Sequence, residues 1–202
     1  MNTSKNEDFM INIFVVAAAL GAYLIGSIPT GYIIARLKGI KDIRQHGSGN
    51  IGATNVSRVL GIQYFFLIFF LDVAKAFLFM HYIKPYFPAE YLYCFAGIFL
   101  LGNTCSFFLR GTGGKGVATL CGVLCALNLT AIGFSLAVWC VSMAIVKTVG
   151  IASVIAAASL PIYACALQDG VFMLFSFVVS AWIIWLHRSN IRIYWEKCCT
   201  KN

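Results

Sequence analysis

Long apolar runs constrain this chain more than any other feature of its sequence. Of the 202 residues, 60% are hydrophobic and 11% are charged, against about 25% charged residues in typical soluble domains. A soluble protein needs a polar surface, which so few charged residues cannot supply. We therefore predict an all-α polytopic membrane protein, because helices satisfy their own backbone hydrogen bonds within lipid.

The apolar runs predict about seven transmembrane helices in a single membrane-embedded domain, residues 1–202, since a span needs about 20 apolar residues. The stretch 116–146 is too long for one ordinary span. Its polar break LNLT, residues 127–130, is predicted to divide it into a short helix and a full one. The first run contains Pro29, which a membrane helix tolerates when neighbours satisfy the freed carbonyl. The other predicted spans are 9–37, 64–83, 91–109, 151–167 and 171–186.

The distribution of cationic residues predicts the orientation of these spans. With seven spans, the first, third and fifth loops and the C-terminal tail hold twelve Lys and Arg residues, whereas the opposite side holds only Lys5 and Lys84. Cytoplasmic loops carry the excess of positive charge in membrane proteins. The N-terminus is therefore predicted outside and the C-terminus in the cytoplasm.

The net charge and the cysteines exclude several classes of partner. A charge of +8 suggests nucleic acid, but cytoplasmic loops and an anionic ligand explain it better in so apolar a chain. The eight cysteines include no C-x-x-C pair, the spacing typical of zinc and redox sites. We expect no nucleic-acid partner, no metal and no cofactor.

The segment GSGNIGATN, residues 47–55, interrupts the apolar pattern after the first span. Gly47, Gly49 and Gly52 allow turns that direct successive amides at an anion. Arg58 follows one helical turn later and can close a phosphate site if a helix starts near position 54. A flexible linker is the alternative interpretation. The polar residues of the motif are Ser48, Asn50, Thr54 and Asn55.

Two further polar motifs lie on the same predicted face. GTGGKGVAT, residues 111–119, places Lys115 in a glycine turn before a helix, although it is not a P-loop. Lys115 offers a point charge to a phosphate, or the loop only sets the topology. HRSN, residues 187–190, ends the last span with His187 and Asn190 on one helical face. Three such motifs on one face favour a site for an anion at the membrane surface.

Taken in order, these motifs resemble one family. GSIPTGYIIARL, GSGNIGATNVSRVLG, LDVAK, GGKGVAT and HRSNI are similar in sequence and spacing to the bacterial acyl-phosphate:glycerol-3-phosphate acyltransferases, the PlsY family. The resemblance implies a seven-helix enzyme of the bacterial inner membrane with its active site on the cytoplasmic face. It implies transfer of a fatty acyl group from acyl phosphate to position 1 of glycerol-3-phosphate, giving lysophosphatidic acid and phosphate in phospholipid biosynthesis. It also implies a functional link to the enzyme that makes acyl phosphate.

The resemblance and the chemistry of the motifs together predict the site residues. Acyl phosphate is a mixed anhydride with a good leaving group, so no covalent enzyme nucleophile is required. His187, the weaker candidate His46, or a substrate phosphate remains open as the proton acceptor. The predicted catalytic residues are Ser48, Arg58, Lys115, His187 and Asn190. The predicted substrate-binding residues are Gly49, Asn50, Gly52, Thr54, Asn55, Gly114 and Gly116.

Four positions depart from what the family usually carries. Asn103 stands in place of His, Gly111 and Thr112 in place of an aromatic residue and a cation, and Gly150 in place of Ser. The tail YWEKCC also lacks the family's Gly and Glu. These departures concern the fine geometry of the site rather than the class of reaction.

A transporter of a phosphorylated solute is the alternative from another functional class. It requires polar residues along a path through the bilayer, and the spans offer little beyond Asp72 and Lys75. These two residues are spaced i, i+3, so they can pair within the membrane. We favour a structural ion pair over direct catalysis for them.

The predicted orientation can be tested by cysteine labelling. Reporters at Asn2 and Asn202 should be accessible from opposite sides, the first from outside and the second from the cytoplasm, because the cations gather on one face. Impermeant thiol reagents applied to intact cells and to inverted vesicles provide the measurement. Labelling of both ends from the same side would contradict the count of seven spans.

Overall fold

The computed structural model describes residues 3–200, with side chains described from Asn12 onward. Within this range the chain forms α-helices joined by short loops and 3-10 turns, and it contains no strand. The all-α prediction is therefore confirmed for the described residues. The helices are α1 Thr3–Gly26, α2 Thr30–Leu37, α3 Ala53–Leu60, α4 Ile62–Ile83, α5 Ala89–Thr104, α6 Val117–Leu127, α7 Leu129–Val146, α8 Val149–Leu167, α9 Gly170–Leu186 and α10 Arg188–Cys199.

The membrane spans of the described residues can be counted by length and apolarity. Five segments are long and apolar enough to cross a membrane. Helices α9 and α10, which are bent by 58° at their junction, make a sixth span when they are counted together. The prediction of a multi-pass membrane protein is thus confirmed. The predicted orientation of the termini stays a prediction, because Asn2 and Asn202 lie outside the described residues. The five segments are Asn12–Leu37, Ile62–Tyr86, Ala89–Leu109, Leu129–Val146 and Val149–Leu167.

The predicted short fourth helix, α6, falls below the length of a span. Its 11 residues extend about 16 Å, roughly half of the hydrocarbon core. The loop before it folds back along α5, where the Gly114 amide donates to the Asn103 carbonyl at 2.9 Å. Gly113 packs against the backbone of Asn103 and Thr104. Helix α6 therefore starts beside the last turns of α5, inside the membrane, and has less distance to cover.

Helices α4 and α6 pack in parallel, which fixes the depth of the second motif. Gly122 contacts the backbone of Val73 and the side chain of Ala76, and a Cβ at position 122 would collide with the Val73 carbonyl. Where both helices end, Lys84 Nζ donates to the Ala126 carbonyl at 3.0 Å. Counting back from Gly122, α6 begins about two turns inside the start of α4.

The first predicted span is not one continuous helix. Helix α1 ends at Gly26 and α2 begins at Thr30, because Pro29 offers no amide to continue the hydrogen-bond ladder. Lys75 Nζ donates to the Ile28 carbonyl at the break at 2.9 Å, and Thr30 Oγ1 donates to Asp72 Oδ1 at 2.9 Å. The Asp72–Lys75 ion pair at 2.7 Å therefore links α4 to the break in the first span, the structural role favoured by the sequence.

The break places α2 against the glycine-rich loop. Gly31 contacts the Ile51 carbonyl oxygen and Val56, and a Cβ at position 31 would collide with that oxygen. A small apolar cluster that includes Ala35, Ile43, Ile51 and Val56 fixes this contact. The position of residues 47–55 thus depends on the helix that follows the break.

Removing one partner of the membrane ion pair should destabilise the fold. Asp72→Ala leaves Lys75 unpaired among apolar side chains, so we expect a loss of about 3–5 kcal/mol of stability. Thermal unfolding of the purified protein in detergent measures this loss. Glu196→Gln, in an exposed pair with Arg192 at 3.8 Å, is the control and should melt like the parent. An unchanged melting temperature for Asp72→Ala would show that the pair does not support the break.

Candidate active site

The three polar motifs converge on one cavity of about 810 Å³. Every predicted site residue except Gly49 contributes to its wall. Residues that are far apart in sequence are therefore neighbours in space, as their shared face predicts. The predicted residues that line the cavity are Ser48, Asn50, Gly52, Thr54, Asn55, Arg58, Gly114, Lys115, Gly116, His187 and Asn190.

Asn55 organises the glycine-rich loop from inside. Its side chain is 2% exposed, and its Oδ1 accepts the Ser48 amide at 2.7 Å. Its Nδ2 donates to the His46 carbonyl at 2.9 Å and to the Asn50 carbonyl at 2.7 Å. Asn55 thus holds the two ends of the turn together, with its amide engaged inside the protein rather than free for a ligand.

The predicted nest of successive amides does not form in residues 47–55. Gly49 has a φ of +72° and donates its amide to the His46 carbonyl at 3.0 Å. Gly52 has a φ of −75°, which any residue can adopt, and its amide donates to Asn50 Oδ1 at 2.7 Å. These amides are engaged within the loop because its short turns are closed by local hydrogen bonds. The loop therefore presents the Ser48 side chain to the cavity, and α3 presents Arg58.

Lys115 reaches the cavity from the loop that folds back along α5. Gly116, with a φ of +79°, begins α6 in a left-handed conformation, and Lys115 Nζ donates to Asn190 Oδ1. Lys115 is partly buried, and the charges of Arg188 and Arg58 repel its ammonium group. A bound phosphate would offset this repulsion, so the arrangement favours a doubly charged anion.

His187 is a neutral hydrogen-bonding group just beyond the end of α9. Its Nδ1 is 2.8 Å from the Ile183 carbonyl, which can only accept, so Nδ1 carries the proton and Nε2 the lone pair. The ring is buried and lies near the Lys115 ammonium, and both conditions disfavour a second proton. The ring therefore stays neutral near pH 7. His46 is exposed and lies outside the cavity wall.

Three of the family departures make local contacts around the cavity. A Cβ at Gly150 would collide with the Asn190 amide group, so glycine leaves space for the side chain that binds Lys115. Asn103 lines the cavity, and its backbone carbonyl holds the loop before α6. Thr112 Oγ1 accepts from Arg44 Nη1 at 3.1 Å, which ties the second motif to the loop that carries the first.

Two cations of the cavity wall were not among the site residues predicted from the sequence. Lys147, in the loop between α7 and α8, and Lys197, on α10, line the mouth together with Arg58 and Lys115. The sequence predicts that both residues lie on the cytoplasmic face with the other cations. It does not show which of these cations come together in one cavity. Asp72 is the acidic residue of this wall and is paired with Lys75. The mouth is therefore strongly cationic.

Below the mouth the cavity becomes apolar. Helices α4, α6, α7, α8 and α9 line this apolar arm, which extends from the level of Gly150 into the membrane. A ligand that fills the whole cavity must combine a negative head with a long apolar tail. The residues of the apolar arm are Leu120, Cys121, Leu124, Ile132, Ser135, Leu136, Trp139, Ser153, Ala156, Ala157, Leu160 and Ile183.

Comparisons with known proteins show the family that the chain resembles over most of its length. The family model described as glycerol-3-phosphate acyltransferase matches residues 16–197. Glycerol-3-phosphate acyltransferases of Staphylococcus aureus strains JH9 and Newman are 36% identical over 191 residues, covering 89% of this chain and 93% of theirs.

Two crystal structures of PlsY, an integral membrane glycerol 3-phosphate acyltransferase, share the fold. Its glycerol 3-phosphate form matches with a TM-score of 0.84 and its lysophosphatidic acid form with 0.79. Both are 36% identical and cover 88% of this chain and 90% of theirs. The sequence match over most of the chain and the shared fold show that this protein belongs to the glycerol-3-phosphate acyltransferase family.

Proposed function

We propose that the protein transfers a fatty acyl group from acyl phosphate to position 1 of glycerol-3-phosphate, giving lysophosphatidic acid and phosphate. One observation carries the proposal: a single cavity joins a mouth with four cations to an apolar arm. Both substrates carry phosphate, and one also carries a long acyl chain. The related PlsY structures in glycerol 3-phosphate and lysophosphatidic acid forms support this assignment.

The cavity suggests how the two substrates are arranged. The phosphate groups occupy the cationic mouth, near Arg58, Lys115 and Lys147, where several positive charges share a small volume. The acyl chain enters the apolar arm, where its removal from water provides the binding energy. The reacting carbonyl then lies at the boundary between the two regions, close to His187 and Asn190.

The reaction at this boundary needs positioning more than covalent help from the enzyme. The 1-hydroxyl oxygen of glycerol-3-phosphate attacks the acyl carbonyl carbon, the bond from that carbon to the phosphate oxygen breaks, and phosphate leaves with the electron pair. Lys115 and the Asn190 amide stabilise the negative charge that develops on the carbonyl and phosphate oxygens. Orientation of the two substrates supplies much of the remaining acceleration.

Two groups in this arrangement can accept the hydroxyl proton. His187 Nε2 carries a lone pair and belongs to the cavity wall, so it can accept a hydrogen bond from the hydroxyl. The phosphate of the donor becomes more basic as its bond to carbon breaks, so it gains the proton most readily when it leaves. His187 then serves to orient the hydroxyl by accepting its hydrogen bond.

The cellular setting of the proposal follows from the cationic face. We place the active site on the cytoplasmic side of the bacterial inner membrane, because the cations of the mouth obey the positive-inside rule there. Residues 1–202 act as one domain in this proposal. An enzyme that makes acyl phosphate must supply the donor, which gives the two proteins a functional link.

The transporter alternative finds no comparable support. Transport requires a polar path that continues to the far side of the membrane, whereas the cavity ends among Leu124, Ile132 and Leu160. An apolar end suits an acyl chain and opposes the passage of a phosphorylated solute.

The proposed function is tested by an assay of the purified protein. Glycerol-3-phosphate with palmitoyl phosphate should yield lysophosphatidic acid and phosphate, and palmitoyl-CoA should not replace the acyl phosphate. Product formation with palmitoyl-CoA alone would reject the proposed donor. Uptake of glycerol-3-phosphate into proteoliposomes without acyl transfer would instead favour the transporter.

Changing the cations of the mouth should reduce catalysis. Arg58→Lys keeps the charge but loses the planar fork that binds phosphate through two hydrogen bonds, and Lys115→Ala removes a charge. Each change should lower kcat/KM roughly tenfold or more, since a charged hydrogen bond contributes about 1.5–3 kcal/mol. Lys41→Ala, an exposed loop cation outside the cavity wall, is the control. Parent-like kinetics in a folded Arg58→Lys protein would remove Arg58 from the site.

The shape of the glycine-rich loop should matter for turnover. Gly49→Ala places a side chain at a φ of +72°, which costs about 1–2 kcal/mol and disturbs the turn beside Ser48. Gly39→Ala is matched in strain, with a φ of +86° and no neighbour within 4 Å, but lies away from the cavity. Initial rates at matched membrane expression, over a range of glycerol-3-phosphate concentrations, should fall only for Gly49→Ala. Equal rates in both variants would identify the loop as a tether.

A further inference from the structure

We infer that Ile132 on α7 and Leu160 on α8 form the floor of the apolar arm and set the longest acyl chain that the enzyme accepts. The inference rests on the proposed function and adds a specificity determinant to it. Its basis is the position at which the cavity wall ends along two neighbouring helices.

One face of α8 defines the length of the arm. Gly150 lines the cavity at the mouth. The residues of α8 that line it below the mouth are spaced three or four positions apart and are Ser153, Ala156, Ala157 and Leu160. The next position of this face, Ala164, is fully buried in the hydrophobic core and does not belong to the wall. The arm therefore stops at Leu160 on this helix.

The facing helix α7 runs in the opposite direction and ends the arm at the same level. Its contribution begins with Trp139 and continues through Leu136 and Ser135 to Ile132. Ala131, the neighbour of Ile132, belongs to the hydrophobic core below. Beside the floor, Phe134 and Tyr163 stack at 4.8 Å and hold the two helices together.

Helix α6 adds a third bulky side chain, Leu124, to the floor. Ile132, Leu160 and Leu124 are 5%, 1% and 1% exposed, although all three line the cavity. Bulky side chains that are buried on every side leave no passage for a chain to continue. A longer acyl chain would have to displace them, which close packing resists.

The depth of the arm matches the acyl chains of a membrane. Ten residues separate Gly150 from Leu160, or about 15 Å at 1.5 Å per residue. This is roughly half of the 30 Å hydrocarbon core, the thickness of one leaflet. The arm thus accommodates a chain of the length found in a bilayer leaflet and leaves little space beyond it.

The small residues of the wall keep the arm open above its floor. Ser153, Ala156 and Ala157 occupy the α8 side, and Ser153 Oγ accepts from Trp139 Nε1 at 3.2 Å. This hydrogen bond holds the large indole against the side of the arm. A bulkier residue at position 156 would therefore shorten the space without touching the polar mouth.

A competing route for the chain leads sideways into lipid. Phe66 on α4 and Leu136 on α7 line the cavity and are 64% and 47% exposed, so the cavity opens toward the bilayer between these helices. A chain that leaves through this opening never meets Ile132 or Leu160. The two routes therefore differ in whether the floor affects chain-length preference.

The experiment compares saturated acyl phosphates from lauroyl to arachidoyl at fixed glycerol-3-phosphate. Leu160→Ala and Ile132→Ala deepen the arm, so kcat/KM for the longest donors should rise on the order of tenfold relative to palmitoyl phosphate. Ala156→Leu narrows it and should lower the ratio of palmitoyl to lauroyl transfer by a similar factor. Ile162→Ala, on α8 but 72% exposed, is the matched control and should keep the parent's profile.

The outcomes separate the floor from the function on which it rests. Opposite shifts in the deepened and narrowed variants support the inference, and Leu160→Val replaces Leu160→Ala if the latter does not fold. An active parent with unchanged chain-length profiles in all folded variants overturns the floor and identifies the sideways route. A parent that transfers no acyl group from any acyl phosphate overturns the proposed function, and the floor with it.

Discussion

The ion pair between Asp72 and Lys75 is the interaction on which the site depends. A charge inside the membrane is stable only when it is paired or bonded to backbone, and here the pair also satisfies Thr30 and the Ile28 carbonyl. The break at Pro29 can therefore exist at membrane depth. Through Gly31 the following helix, α2, positions the glycine-rich loop. A polar network in the spans thus determines where the side chains of the glycine-rich loop and α3 lie.

The short helix α6 explains why one cavity has both a cationic mouth and an apolar arm. Because the loop before α6 folds back along α5, Lys115 lies about two turns inside the membrane relative to the start of α4. The cationic mouth therefore borders directly on the apolar space between α6 and α9. A helix of full length would have placed Lys115 at the surface, away from the arm that suits an acyl chain.

The sequence predicted which residues meet in the cavity, but it did not predict how the glycine-rich loop is built. Arg58, Lys115, His187 and Asn190 were expected from motif chemistry, and the structure brings them to one cavity. The amide nest was wrong because Asn55, Asn50 and the His46 carbonyl close the loop on itself. Side-chain hydrogen bonds of this kind depend on turn geometry, which residue types alone do not specify.

The sequence by itself determined the helical membrane class, the apolar runs and the three polar motifs, because hydrophobicity and glycine content act locally along the chain. Only the tertiary structure decided that the first span breaks at Pro29 and that α6 begins inside the membrane. It also decided that Lys147 and Lys197 join the mouth, and that Ile132 and Leu160 close the arm. These features arise from contacts between helices distant in sequence, where packing and the satisfaction of polar groups select one arrangement among many.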